Sequence, residues 1–231
     1  MTRISFAIQA VPQRKAHVES MLARLREQID AAAPGTVAGV ETFYDTDYQG
    51  CWFSWTRAWA THRQWTGVTH QVVLQDDLLL CADLPATMHA LATARPDDMI
   101  SGFLPRKSVS DAVARGVPWV RTRRFLWAQC VMMPVDLGDA CVQWVAENEG
   151  GAASSDWGNS GDMRLAGWLK AMSRPVFVAV PHPVEHIGDA LEGRSVMGHN
   201  GKASGRRARA WLGEDGRGAA LPWSNLEHVR E

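Results

Sequence analysis

The sequence predicts an α/β domain built on a mainly parallel sheet flanked by helices, and two observations carry that expectation. Apolar runs of strand length alternate with helical stripes in the N-terminal part of the chain, in the order β-α-β-α-β-α that a helix-wrapped parallel sheet requires. The chain has 231 residues, 46% of them hydrophobic and 21% charged, which suits one folded domain. Sheets of this kind bind ligands in the crevice beyond the carboxyl ends of their strands. Those ends are therefore where chemistry is sought.

The first run, ISFAIQAVP, reads as a buried strand closed by Pro12. A helix is predicted over 14–32, because Val18, Met21, Leu22, Leu25 and Ile29 fall on one stripe, and Ala33-Pro34-Gly35 stops it. A second strand is expected over 36–44, followed by the polar loop DTDYQG. The Trp- and Ala-rich segment 51–65 reads as helix, with Trp52, Trp55 and Trp59 at helical spacing, either as core or as the lining of a groove. Next come the strand HQVVLQDD and a helix over 85–93.

The second half is less regular. A short strand over 99–103 precedes a basic stretch over 106–124. The run FLWAQCVMM, 125–133, reads as a strand halted by Pro134, and a helix is expected over 137–147. The Gly/Ser-rich loop EGGAASSDWGNSGD leads into a helix carrying Met163, Leu165, Trp168 and Leu169, with Gly161 or Asp162 near its start. PVFVAV is a further strand. Beyond it the chain turns Gly- and Arg-rich, so the division expected is a domain over 1–212 and a loosely ordered tail over 213–231.

Charge and cysteine usage exclude several classes. A formal net charge of -1 gives no overall pull toward nucleic acid or anionic membrane. Cys51, Cys81, Cys130 and Cys141 form no CxxC pair, which argues against a zinc ribbon or redox motif and fits a reducing compartment. Arg14 and Lys15 interrupt the N-terminal apolar run too early for a signal peptide, and no apolar run approaches the ~20 residues of a membrane span. A cytoplasmic protein that does not engage membrane is expected.

The stretch VVLQDDLLL sets two adjacent carboxylates, Asp76 and Asp77, into an apolar run. Buried Asp is costly unless it is paired or ligates a metal. The strand is therefore expected to end there, with the pair in a solvent-reachable crevice. Carboxylates at an open strand end suit Mg²⁺ or Mn²⁺ holding a diphosphate, because the ion keeps positions free for substrate oxygens. The alternative is that one Asp caps a turn and the other is solvated. Downstream, PHPVEHIGDALEGRSVMG offers His186 as a further ligand and Ser195 for phosphate.

Taken together, FAIQAVPQR, VVLQDD, FLWAQCVMMP, SGDMRLAGWL and PHPVEHIGD resemble the nucleotide-sugar glycosyltransferases of the GT-A type, over roughly residues 3 to 200. The resemblance is closest to small phage and bacterial members, some of which glycosylate modified DNA bases. The acidic motif departs from the usual Asp-x-Asp, since Gln75-Asp76-Asp77 stands here. The resemblance implies a GT-A-like domain, a Mn²⁺ or Mg²⁺ ion and a UDP-linked sugar as donor. It puts Gln9, Ala10 and Val11 against the nucleoside, Arg14 near the diphosphate, Asp45 on uracil or ribose, and Arg57 and Gln75 near the donor. Asp77, more than Asp76, and His186 would hold the metal.

An inverting reaction needs a base for the acceptor hydroxyl. Asp162 is the candidate, although an acid at a helix start is also an ordinary N-cap, and Asp156 is the rival. A retaining reaction would need neither in this role. For the acceptor, Arg106, Lys107, Arg121, Arg123 and Arg124 form one basic run, and Arg206, Arg207 and Arg209 belong to a second. Both runs on one side, with an exposed Trp119 or Trp127, would make a groove for DNA carrying hydroxymethylated bases. Saccharide or lipid-linked acceptors, a metal-dependent phosphohydrolase or nucleotidyltransferase, and a non-enzymatic nucleic-acid-binding protein are the competing readings.

Overall fold

The structure, a computed structural model, describes residues 1–124, 127–149, 160–191 and 207–231. It is an α/β fold with an eight-stranded central sheet in the order β10-β6-β8-β5-β7-β3-β1-β2. The strands are β1 (Ile4–Ala10), β2 (Val37–Tyr44), β3 (His70–Gln75), β5 (Met99–Ser101), β6 (Trp119–Thr122), β7 (Cys130–Pro134), β8 (Val176–Ala179) and β10 (His228–Arg230). Pairings β1–β2, β1–β3, β5–β8 and β6–β10 are parallel, whereas β7 runs antiparallel to β3 and β5, and β6 antiparallel to β8. The arrangement is consistent with a Rossmann-like fold. A separate two-stranded sheet joins β4 (Leu78–Leu80) to β9 (Val184–His186).

Helices cover both faces because alternate strand residues are apolar on both sides. Val18, Met21 and Leu25 of α1 (Lys15–Asp30) and Met88 and Leu91 of α3 (Leu84–Ala94) join Phe6, Ile8, Val72 and Leu74 in one cluster. The other face carries Ala7, Val73, Val131 and Met133. It packs on Trp55 and Trp59 of α2 (Cys51–Ala60), Cys141 and Val145 of α5 (Val135–Asn148), and Leu165 and Trp168 of α6 (Gly161–Ala171). Helix α4 (Lys107–Arg115) closes on β6 and β10 through Val109 and Ala112, and ends at Gly116, whose φ of 64° is left-handed.

Trp52, Trp55 and Trp59 stack in a column, with centroid separations of 5.1 and 5.4 Å. Trp55 and Trp59 are fully enclosed, so this stripe is core. Trp119, expected as an exposed base-stacking residue, is also buried, packed against Phe177 and Trp223 with the Arg95 guanidinium over its ring.

Three elements differ from the sequence expectation. β7 starts at Cys130 rather than at 125, because Trp127 lies under Arg106 and the Ala128 N–H is taken by Asp162, which draws the chain off the sheet. β3 ends at Gln75, and the acidic pair turns the chain into β4, which no periodicity had marked. Residues 213–231 are not a loose tail. Trp223 is buried there, its indole donating to Gly218 O at 2.8 Å, and β10 adds an edge strand beside β6.

Candidate functional site

The carboxyl ends of β1, β2 and β3 meet. Ala10 O accepts the Asp45 N–H at 2.8 Å, joining the first two, and the Val11 N–H donates to Asp76 Oδ2 at 2.9 Å, joining the first and third. Gln9 and Gln75 are register partners, and the Gln75 N–H donates to Gln129 O at 2.9 Å. The expected convergence of strand ends is therefore a structural fact, although the pair at its centre is not open to solvent. Asp76 is 0% and Asp77 5% exposed.

Buried carboxylates must be compensated, and Arg14 does most of it. Its short 3-10 turn, Pro12–Arg14, aims the guanidinium back at the sheet, where Nη1 lies 2.8 Å from Asp76 Oδ1 and 2.8 Å from Asp77 Oδ2. The two acids respond differently. Burial, then the charge of Asp77, pushes Asp76 up to about 6. Burial works the same way on Asp77, but the hydrogen bond and charge of His186, with Arg14 behind them, hold it below the usual carboxylate range. Arg14 is raised: burial works against its charge and both aspartates outweigh it.

His186 arrives through the small sheet. β4 and β9 are antiparallel with Leu78 opposite His186, and the Ile187 N–H donates to Asp77 O at 2.8 Å. This register sets His186 Nε2 3.4 Å from Asp77 Oδ2, with the Phe103 ring alongside. Gly188 follows, and a Cβ there would stand 2.8 Å from Asp77 Oδ2 and 2.9 Å from His186 Nε2. The glycine thus keeps the space beside both groups clear.

The pair has about the spacing that a divalent ion would need, with Arg14 on the same Asp77 oxygen. Two ligands bound about 2.1 Å from one ion at a right angle lie about 3 Å apart, close to the separation seen. Asp77 Oδ1 is buried and has no hydrogen-bond partner among the described residues. The described residues contain no group of three or more His, Cys, Asp or Glu placed to hold a metal ion. An ion at Asp77 and His186 would therefore complete its shell with water and substrate oxygens, as Mg²⁺ commonly does.

Asp45 is also buried, and its carboxylate accepts from Gln49 N and Gly50 N at 3.0 Å each, shaping the loop that opens α2. With Arg57, exposed and 5.9 Å from the Phe43 ring, it lines a cavity of about 220 Å³ together with Tyr44, Asp47, Gln49 and Phe53. Asp162 lies in the first turn of α6, which Ser160 caps, and its Oδ1 accepts the Ala128 N–H at 3.0 Å. The Cys51 thiol, at the start of α2 beside Gln9, is pushed up to about 11 by burial first and then by Asp162, so it stays protonated.

The basic residues separate. β6 runs antiparallel to β8, with Arg121 inside the strand opposite Phe177 and Thr122 opposite Val176, so Arg123 and Arg124 leave the sheet at the end remote from Asp77. Arg106 is tied to Glu231 at the C-terminus and Lys107 is exposed. Arg207, in contrast, donates from Nη1 to His186 O at 3.0 Å, and Arg209 is exposed two residues on. Asp156, Ser195 and Arg206 lie outside the described residues.

Sequence reasoning missed Gly188, Phe103, Cys51 and Gln129. Gln129 carried a signal, because a glutamine interrupts FLWAQC as Gln9 interrupts FAIQA and Gln75 ends VVLQ. No family model and no curated protein matches the chain.

Proposed function

We propose that this protein is a GT-A-type, metal-dependent glycosyltransferase that moves a sugar from a nucleotide donor, UDP-linked in the first instance, to an acceptor hydroxyl. The carrying observation is the pairing of Asp77 with His186 beside Gly188, at the carboxyl end of the third strand of a parallel β2–β1–β3 unit. A paired acid and imidazole with one unpartnered carboxylate oxygen form a binding place for a cation that has free positions of its own. Mn²⁺ or Mg²⁺ held there would supply positive charge to the diphosphate leaving group.

The chain's own residues take the remaining tasks. His186, with Arg14 behind it, holds Asp77 in place and keeps it charged. The cavity of Asp45 and Arg57, at the end of β2, suits the nucleoside. In an inverting transfer, the acceptor oxygen attacks the anomeric carbon, the bond to the diphosphate breaks, and Asp162 takes the hydroxyl proton. DNA with hydroxymethylated bases is the first acceptor to test, supported by Arg207, which donates to His186 O.

The test is thermal unfolding with UDP, GDP and their hexose conjugates, each with Mn²⁺ and with EDTA, for wild type and Asp77→Asn. A ligand at a hundredfold its Kd stabilises by about 2.7 kcal/mol. A Mn²⁺-dependent rise with one nucleotide, lost in Asp77→Asn, is expected. No rise with any nucleotide would overturn the reading.

A further inference from the structure

Gln9, Gln75 and Gln129 form a row across the three central strands β1, β3 and β7. Gln9 and Gln75 are register partners. Gln129 stands opposite Gln75, one step past the Leu74–Cys130 pair. Partners in register point to the same face of a sheet, and Ala7, Val73 and Val131, two positions along each strand, lie on the face covered by α2 and α6. The row is therefore an amide shelf at the carboxyl edge of that face, and all three side chains are buried.

The shelf has acceptors to spare. Gln9 Nε2 donates to Cys51 O at 2.9 Å, which turns Oε1 the other way, and that oxygen has no partner among the described residues. Gln129 Oε1 is likewise buried and unpartnered there. The nearby Asp162 holds the backbone just before Gln129 through Ala128 N. A buried unpaired acceptor is an uncompensated cost, and the group that relieves two amide oxygens must bring protons. An anion such as a phosphate cannot; a ring carrying several hydroxyl groups can. Strands lie about 4.8 Å apart, so the outer glutamines are separated by about 10 Å at the backbone, with Gln75 on the strand between them.

Resting on the glycosyltransferase reading, we infer that this amide row reads the sugar of the donor, and that the sugar is a neutral hexose recognised through its hydroxyl protons by Gln9 and Gln129. With the nucleoside assigned to the cavity of Asp45 and Arg57 rather than to Gln9, the two parts of the donor are separable by experiment.

The experiment is calorimetric titration with Mn²⁺ present, using UDP, GDP, their neutral hexose conjugates and UDP-glucuronate, on wild type, Gln129→Met and Gln129→Leu, both of which remove the acceptor oxygen. Circular dichroism checks that each variant is folded; Gln129→Met, unbranched like glutamine and of similar length, serves if Gln129→Leu is not. Wild type is expected to bind one neutral conjugate about tenfold more tightly than the bare nucleotide, and UDP-glucuronate without that gain. The variants are expected to lose the gain and keep nucleotide affinity. Equal binding of nucleotide and conjugate by wild type, as when internal water alone meets the two oxygens, overturns the sugar assignment and leaves the donor reading standing. An unchanged gain in both variants also overturns it. Absence of binding by every nucleotide and conjugate overturns both.

Discussion

Arg14 Nη1 stands 2.8 Å from Asp76 Oδ1, and both side chains are shut away from solvent. With the Val11 N–H on its second oxygen, Asp76 is saturated. It joins β1 to β3 and holds the guanidinium that steadies Asp77. Two adjacent acids thus differ by environment, one with both oxygens partnered and the other with Oδ1 unpartnered among the described residues. Removing one partner of a buried ion pair costs about 3–5 kcal/mol, so Asp76→Ala is expected to lower unfolding free energy by that order in urea titration. A loss under about 1 kcal/mol, the scale of an exposed pair, would show that Asp76 is not the tie described.

Gly188 makes the complementary prediction for Asp77. Gly188→Ala sets a methyl group against Asp77 Oδ2 and His186 Nε2 while leaving the strands untouched. Mn²⁺ binding followed by electron paramagnetic resonance should weaken at least tenfold, a change of about 1.4 kcal/mol. Wild-type affinity in Gly188→Ala would remove the cation from this place.

Much of the fold was legible because its strands are apolar runs with breakers at their ends. ISFAIQA and HQVVLQ bury every residue, as do the shorter CVMMP and VFVA. β4, β9 and β10 were not legible, since three residues each carry no period. For the site, residue types announced Asp77 and His186 as candidates. What closes on the pair is set by register and by a three-residue turn at Arg14, and neither has a composition of its own. The glutamine row is an intermediate case. Each Gln is conspicuous in its own run, but only the pairing of β1, β3 and β7 aligns them.

The C-terminal segment yields a test of its own. Asp83 accepts the N–H groups of Gly218 and Ala219 at 2.8 and 3.1 Å, and the Trp119 indole donates to Trp223 O at 3.2 Å. Deleting 213–231 would uncover Trp119 and remove β10, so that variant is expected to lose its cooperative unfolding transition. Trp223→Ala alone should cost about 3–5 kcal/mol. A truncated chain that melts like the full one would restore the segment to the status of a tail.

Acid sensitivity follows from two histidines away from the acidic pair. His182 is fully buried; its Nδ1 lies 2.8 Å from Ala179 O, and its Nε2 lies 3.2 Å from Leu104 N and 3.0 Å from Leu104 O. Burial lowers its pKa, and burial likewise lowers that of His70 despite its contact with Pro96 O. Folded values below the unfolded one, about 6.5, mean that the unfolded chain binds more protons in the interval between them. Unfolding free energy therefore rises with pH through that interval, and falls as pH drops below about 6.5 until the folded values are passed. Urea midpoints at pH 8 and pH 5 read the difference. His182→Gln, which keeps an amide donor and acceptor, should be less stable at pH 8 yet lose less between the two pH values. An equal loss in both proteins would mean that His182 is not a source of the acid sensitivity.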